Sequence, residues 1–320
     1  MGALAYITAL NQALHDEMAR DDRVCVFGED VRIGLTQTTK GLHERFGDGR
    51  VVDTPLSEQA FTSLATGAAM AGQRPVVEYQ IPSLLYLVFE QIANQAHKFS
   101  LMTGGQVEVP VTYLVPGSGS RSGMAGQHSD HPYSLFAHVG IKTVLPATAS
   151  DAYGLLLSAL RDPDPVAVFA PSALMGTVEE VTGELGPVPL GSARIHRAGE
   201  DVTVVATGQC VHTALAVAEA MAGEASIEVV DPRTIYPVDW ETIRASAGKT
   251  GRLVVIDDAN RMSGFAGEVL ATAAEQFDLV APPRRVTRPD GAVIPYALVL
   301  DQALLPNGDQ LTDAIRAVLK

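Results

Sequence analysis

The sequence predicts an α/β protein of two domains, each a mostly parallel sheet flanked by helices. Three observations carry this. Short β-branched apolar runs alternate with longer stretches of helical character, the pattern of parallel strands joined by crossover helices. The chain has 320 residues, more than one hydrophobic core usually serves. Gly and Pro gather at Gly183, Gly186, Pro187, Pro189, Gly191 and Gly199, where a link between two cores belongs. The first domain is therefore expected over residues 1–186, the link over 187–200 and the second domain over 201–320.

In chain order, Ala3 to Ala19 reads as a helix and Val24-Cys25-Val26-Phe27 as a buried strand. Gly47-Asp48-Gly49 is a turn before the short strand Val51-Val52. An apolar helix runs from Glu58 to Ala71, the strand Pro75 to Glu78 follows, and a helix spans Leu84 to Leu101. Val111 to Val115 is the next strand, then come the helix Ala149 to Leu160 and the strand Val166 to Phe169. Between these two, Arg161-Asp162-Pro163-Asp164-Pro165 is a turn whose prolines stop the helix. A turn that rigid also aims oxygens at one point, which suits a hard cation. In the second half the strands are Val202 to Thr207, Ile227 to Val230 and Leu253 to Asp257, with helices Val211 to Met221 and Gly264 to Phe277.

Hydrophobic residues make up 47% and charged residues 19%, and the net charge is −14. With no Lys/Arg run, nucleic acid and anionic membranes are poor partners. No window reaches the 18 uninterrupted apolar residues of a membrane span. The stretch after Met1 has no signal-peptide pattern, so a cytoplasmic location is expected. Cys25 and Cys210 sit in apolar, strand-like contexts that fit buried thiols better than a disulfide or metal framework. No His, Cys or carboxylate pair has zinc spacing, and Ser118-Gly119-Ser120 lacks the Gly-Lys-Ser/Thr of a phosphate loop.

Two segments offer chemistry. Asp53-Thr54-Pro55-Leu56-Ser57-Glu58 puts one carboxyl at the mouth of an apolar helix. The residues alone leave two readings open, complementing the helix dipole or tuned proton chemistry. The segment Pro116 to His131 is a loop of small residues that presents His128 and His131.

With those residues in view, the chain resembles the β subunit of the thiamine diphosphate-dependent decarboxylase component of 2-oxo acid dehydrogenase complexes, of the pyruvate, branched-chain 2-oxo acid and acetoin types. The resemblance rests on the order of Phe27-Gly28-Glu29-Asp30-Val31, Arg50 to Glu58, Gly126-Gln127-His128-Ser129, Leu135-Phe136-Ala137-His138 and Arg161 to Pro165. In the second half it rests on Asp231 to Pro237, Gly264 to Glu268 and Ile294-Pro295-Tyr296. It implies a pyrimidine-binding domain followed by a transketolase C-terminal-like domain.

The resemblance also implies a division of labour in an α2β2 heterotetramer. An α subunit would hold the diphosphate and its magnesium. Gly47-Asp48-Gly49 agrees, since no Asn follows it at the spacing a magnesium motif needs. This chain would supply the pyrimidine end of the pocket through Glu29, Leu56, Glu58, Leu84 and Tyr86. Glu58 would hydrogen-bond the pyrimidine ring nitrogen and so activate the cofactor for attack on a 2-oxo acid. His128 would assist the intermediate or acyl transfer to a lipoyl-bearing acyltransferase or another carrier domain, and His131 stays a loop residue. Glu29 and Glu90 would line a proton relay. Val111, Ala159, Asp162 and Asp164 map onto a monovalent-cation site, with potassium as the ion.

Departures are Leu84 in place of an aromatic, Glu90 in place of Asp, and Asp257-Asp258 in place of two Glu. They bear on the substrate more than on the cofactor. Two alternatives keep much of the architecture. One is half of a split transketolase-like enzyme delivering a two-carbon unit, which needs sugar-phosphate-binding Arg and His. The other is a mainly docking subunit.

Overall fold

The computed structural model describes residues 2–120 and 123–320, in two compact units. The first unit comprises residues 2–120 and 127–190, the second 123–126 and 191–320.

The first unit is built on a parallel sheet. Its strands are β1 (Val24–Gly28), β2 (Val51–Asp53), β3 (Arg74–Glu78), β4 (Thr112–Ser118), β5 (Lys142–Val144) and β6 (Val166–Pro171). They lie in the order β5-β6-β4-β3-β1-β2, and every pairing is parallel. A sheet covered on both faces selects continuous β-branched runs, and β1, β4 and β6 are buried along their whole length. Three helices matter most: α1 (Tyr6–Arg20), α2 (Glu58–Met70) and α3 (Ala149–Arg161).

Helices α1 and α3 join one core, with Tyr6, Leu10, Leu14 and Met18 meeting Leu155, Leu156 and Leu160. Glu17, 1% exposed at its side chain, clasps the pair. It accepts from Arg20 on its own helix and from Arg161 Nη2 of α3 at 2.7 Å. Burial alone would raise the Glu17 pKa, but the two guanidinium groups outweigh it and hold the carboxyl low.

Two expected helices differ. Ala3–Ala5 is a strand paired antiparallel with Val178–Glu180, so the first helix begins at Tyr6, whose N–H donates to Thr177 O at 2.9 Å. Pairing with a distant strand overrides the helical preference of the alanines. The stretch expected as one helix from Leu84 to Leu101 is broken into Leu84–Leu87, a π-helical segment Gln91–His97 and Phe99–Met102. The wider turn matches a side-chain bond across five residues, from Gln95 Nε2 to Glu90 Oε1 at 2.9 Å.

The second unit has β7 (Arg194–Arg197), β8 (Val202–Ala206), β9 (Ile227–Asp231), β10 (Leu253–Asn260) and β11 (Arg284–Arg288), in the order β11-β10-β8-β9-β7. Among the described residues of this sheet, only β7 runs antiparallel. It lies within the Gly/Pro-rich stretch 187–200, where Gly199 lets the chain turn tightly: a Cβ there would sit 2.2 Å from Glu228 N. Helices flank this sheet, including Cys210–Ala220, Phe265–Gln276 and Gly308–Leu319. Among the described residues no helix is long and apolar enough to cross a membrane.

Candidate active site

The parallel strands β1, β2 and β3 deliver their C-terminal ends side by side, as their register pairs Gly28 with both Asp53 and Glu78. Ligand sites in open α/β sheets gather at such ends. Glu29 follows β1, and Glu58 opens α2 a few residues after β2. Ser57 starts the helix through its carbonyl, which accepts from Ala60 and Phe61 N–H at 2.9 and 3.1 Å. The helix keeps its floor by packing Phe61 on Tyr79 and Tyr79 on Tyr113, with ring centroids 6.0 and 6.4 Å apart. Thr62 ties the first turn down, donating to Glu58 O and meeting the Tyr79 hydroxyl, each at 2.6 Å.

Glu29 and Glu58 are brought together. Burial pushes the Glu29 carboxyl up to about 7, and the charge and hydrogen bonding of neighbouring Glu58 push the same way. Among the described residues, Glu29 Oε1 is buried with no hydrogen-bond partner. The backbone around this pair is fixed. Gln80 Nε2 donates to Glu29 O at 2.6 Å, Thr54 N–H to Gly28 O at 3.0 Å, and Arg32 N–H to Asp53 Oδ1 at 2.9 Å.

The other candidate residues fall around this pair unevenly. Leu56 is 80% exposed, Leu84 is half-buried and Glu90 is exposed. Tyr86 is half exposed, and its hydroxyl donates to Asp130 Oδ2 at 2.7 Å. Burial first, then Asp130, pushes its phenol pKa far up. Asp130 also accepts from His131 N–H at 2.8 Å, and its carbonyl accepts from Gly119 N–H at 2.8 Å. Tyr86 therefore runs to the segment that carries His128 in the 3-10 turn Gly126–Ser129. Arg121 and Ser122 of that segment lie outside the described residues. His131 lies in irregular backbone, but its ring is buried, edge-on to Tyr133 at 4.7 Å and bonded to Ser118. Both cysteines are buried and free.

The proposed cation turn is already rich in fixed positive charge. Lys142 Nζ bridges Asp162 Oδ1 and Asp164 Oδ2 at 2.7 and 2.9 Å. Arg74 donates to Leu160 O and Asp162 O at 2.8 and 2.6 Å. Val111 O accepts from Val166 N–H at 3.0 Å, and Ala159 O from Asp162 N–H at 3.3 Å.

Sequence reasoning passed over Glu78, at the end of β3. It is 2% exposed, accepts from Thr36 Oγ1 at 2.7 Å and from Thr38, and burial pushes its pKa up to about 6. A charged residue closing an apolar strand was the available signal.

Two family descriptions cover most of the chain: "Transketolase, pyrimidine binding domain" over residues 2–177 and "Transketolase, C-terminal domain" over 191–311. The 2-oxoisovalerate dehydrogenase subunit beta of Bacillus subtilis is 38% identical, covering 99% of this chain and 98% of its own. The pyruvate dehydrogenase E1 component subunit beta of Rickettsia conorii is also 38% identical, over 97% and 96%. The chain belongs to the transketolase-like family of 2-oxo acid dehydrogenase β subunits. Within that family, the acetoin:2,6-dichlorophenolindophenol oxidoreductase subunit beta of Bacillus subtilis is 39% identical, over 97% and 96%. A solved split-gene transketolase, described as an inactive beta4 tetramer, superposes with a TM-score of 0.80 over 99% of both chains. At 20% identity it speaks for the fold alone.

Proposed function

We propose that this chain is the β subunit of a thiamine diphosphate-dependent 2-oxo acid dehydrogenase, active together with an α subunit in an α2β2 assembly. The observation that carries the reading is the Glu29–Glu58 carboxyl pair at the ends of β1 and β2 in a chain of this family. The pair fits the pyrimidine end of the cofactor. Among the described residues Glu29 Oε1 is buried without a hydrogen-bond partner, and an aminopyrimidine offers an amino group that donates and a ring nitrogen that accepts from a protonated carboxyl. Glu58 would meet the ring nitrogen, with Leu56, Leu84 and Tyr86 beside it and Glu29 behind. The diphosphate and magnesium fall to the α subunit.

When bound, the cofactor supplies attack on the 2-oxo carbon and takes up the electron pair left by departing carbon dioxide. This chain's part is proton management. Glu58 shares a proton with the ring nitrogen. Glu29, held near neutrality, keeps that proton close without adding a second full negative charge. Glu90, exposed on this chain, is the outer member of a relay that needs the partner to shield it. His128 serves acyl transfer to a lipoyl-bearing or other carrier domain. A potassium ion at Val111, Ala159, Asp162 and Asp164 would have to share the turn with Lys142, which holds both carboxylates, and with Arg74, which donates to Asp162 O.

The test is co-expression with the α subunit and assay of pyruvate and 2-oxoisovalerate with 2,6-dichlorophenolindophenol as electron acceptor. Thiamine diphosphate-dependent reduction is expected only with both subunits. Full activity from this chain alone would overturn the two-subunit reading.

A further inference from the structure

The loop that starts at Glu29 closes on a second buried carboxyl. Gly28 lies level with Glu78 across the β1–β3 pairing, and a Cβ at Gly28 would sit 2.8 Å from Glu78 O and 2.9 Å from Val31 Cγ1. The glycine thus lets the chain leave β1 directly over the end of β3. The loop then folds back, so that Thr36 Oγ1 donates to Glu78 Oε1 at 2.7 Å and Thr38 donates to Oε2. Asn11 Nδ2 holds its far side through Thr38 O and Lys40 O, at 2.7 and 2.9 Å.

Inside this closed ring, Asp30 and Gln37 adopt left-handed backbone, with φ of 54° and 70°. Such conformations persist only where the surroundings hold them. Both oxygens of the buried carboxylate are spent on the one loop that begins with Glu29.

We propose that Glu78 is a positioning residue for the carboxyl pair: it staples the 29–41 loop across the strand ends and so sets Glu29 against Glu58. The inference deepens the function proposed above and rests on it. Glu29 faces Glu58 and Asp30, so a loosened loop changes both the distance to Glu58 and the sharing of the proton.

The experiment compares wild type with E78Q, T38V and T38S in the assembled α2β2 enzyme. Hydrogen exchange of the cofactor-free protein is read over residues 29–41. Turnover is read with pyruvate and 2-oxoisovalerate. The expected result for E78Q and T38V is faster exchange confined to that loop. A fall in kcat of about tenfold or more accompanies it, below the loss that a 1 Å misplacement can cause, with KM near wild type. The acid limb of the kcat/KM profile shifts. T38S, which keeps the hydroxyl, behaves as wild type. Unchanged loop exchange, exchange raised evenly through the domain, or an unmoved pH profile would overturn the staple. E58Q separates the two claims. If it retains turnover, the functional reading fails, while loop exchange still judges the staple. If it is inactive and E78Q changes nothing, only the staple fails.

Discussion

Replacing Glu29 by Gln should make the protein more stable at pH 8 and no more stable at pH 5. Glu29 is pushed from 4.5 to about 7 by burial and by Glu58. A folded-state pKa above the unfolded one means that the fold prefers the protonated acid. That contribution is complete below about pH 4.5 and is lost as the pH rises through about 7. At about 1.4 kcal/mol per pKa unit, the rise corresponds to roughly 3 kcal/mol. The side chain is only partly buried, and screening by solvent reduces this to ~1–2 kcal/mol. Glutamine cannot titrate, so the mutant escapes the loss.

The assay is thermal unfolding of the cofactor-free protein between pH 4.5 and 8.5. Other carboxyls also move the wild-type curve, Glu78 in the same direction and Glu17 in the opposite one. The readout is therefore the difference between variants. For domains of this size, the mutant should melt about 2–8 °C higher at pH 8, with the gap closing toward pH 5. Catalysis should fall at the same time, the exchange of stability for function expected of a strained site. Parallel curves at all pH values would refute the carboxyl-pair argument.

Glu58→Gln should abolish decarboxylation while size-exclusion chromatography still shows the α2β2 assembly; near-normal turnover would remove the central assignment. His128→Ala should slow acyl transfer to the carrier domain more than reduction of the artificial acceptor, which stopped-flow assays of the two half-reactions can separate. Glu17→Ala should cost about 2–3 kcal/mol by thermal unfolding, below the usual penalty for breaking a buried pair because Arg20 and Arg161 can turn toward water. Glu17 is held low, so its contribution is present above about pH 4.5 and fades as the pH falls, and the mutant's deficit should shrink in acid. Gly154→Ala would place a Cβ 2.5 Å from Val188 Cγ2 and 2.6 Å from Gly186 O. A loss of about 1–3 kcal/mol is expected, readable as a lower urea midpoint.

The central strands were legible because buried parallel strands demand β-branched runs, and β1, β4 and β6 have them. The end of helix α3 was legible, since the prolines after Arg161 stop it, and the structure adds Thr148 as the cap at its start. Ala3-Leu4-Ala5 was not legible, because a tripeptide carries no local signal for pairing with residues 178–180. The π-helical turn was equally silent, as its apolar spacing imitates an α-helix over so short a span. In the candidate site, Glu58 stood out as a lone carboxyl before an apolar helix, a position that complementing the helix dipole would also explain. Glu78 did not, because nothing local ties it to threonines some forty residues earlier. The burial of the His131 ring was hidden by the polar, small-residue loop around it.

The clasp between α1 and α3 has a consequence for how this polypeptide is made. The apolar stripe of Tyr6, Leu10, Leu14 and Met18 leaves the ribosome long before its covering, which arrives with residues 149–160 and the strand at 178–180. At about 5–20 residues per second, that is a wait on the order of 10–35 s with a sticky surface uncovered. The nascent α1 segment is therefore the natural client for a holding chaperone. Slowing translation between residues 20 and 180 lengthens its exposure and should lower the yield of folded chain.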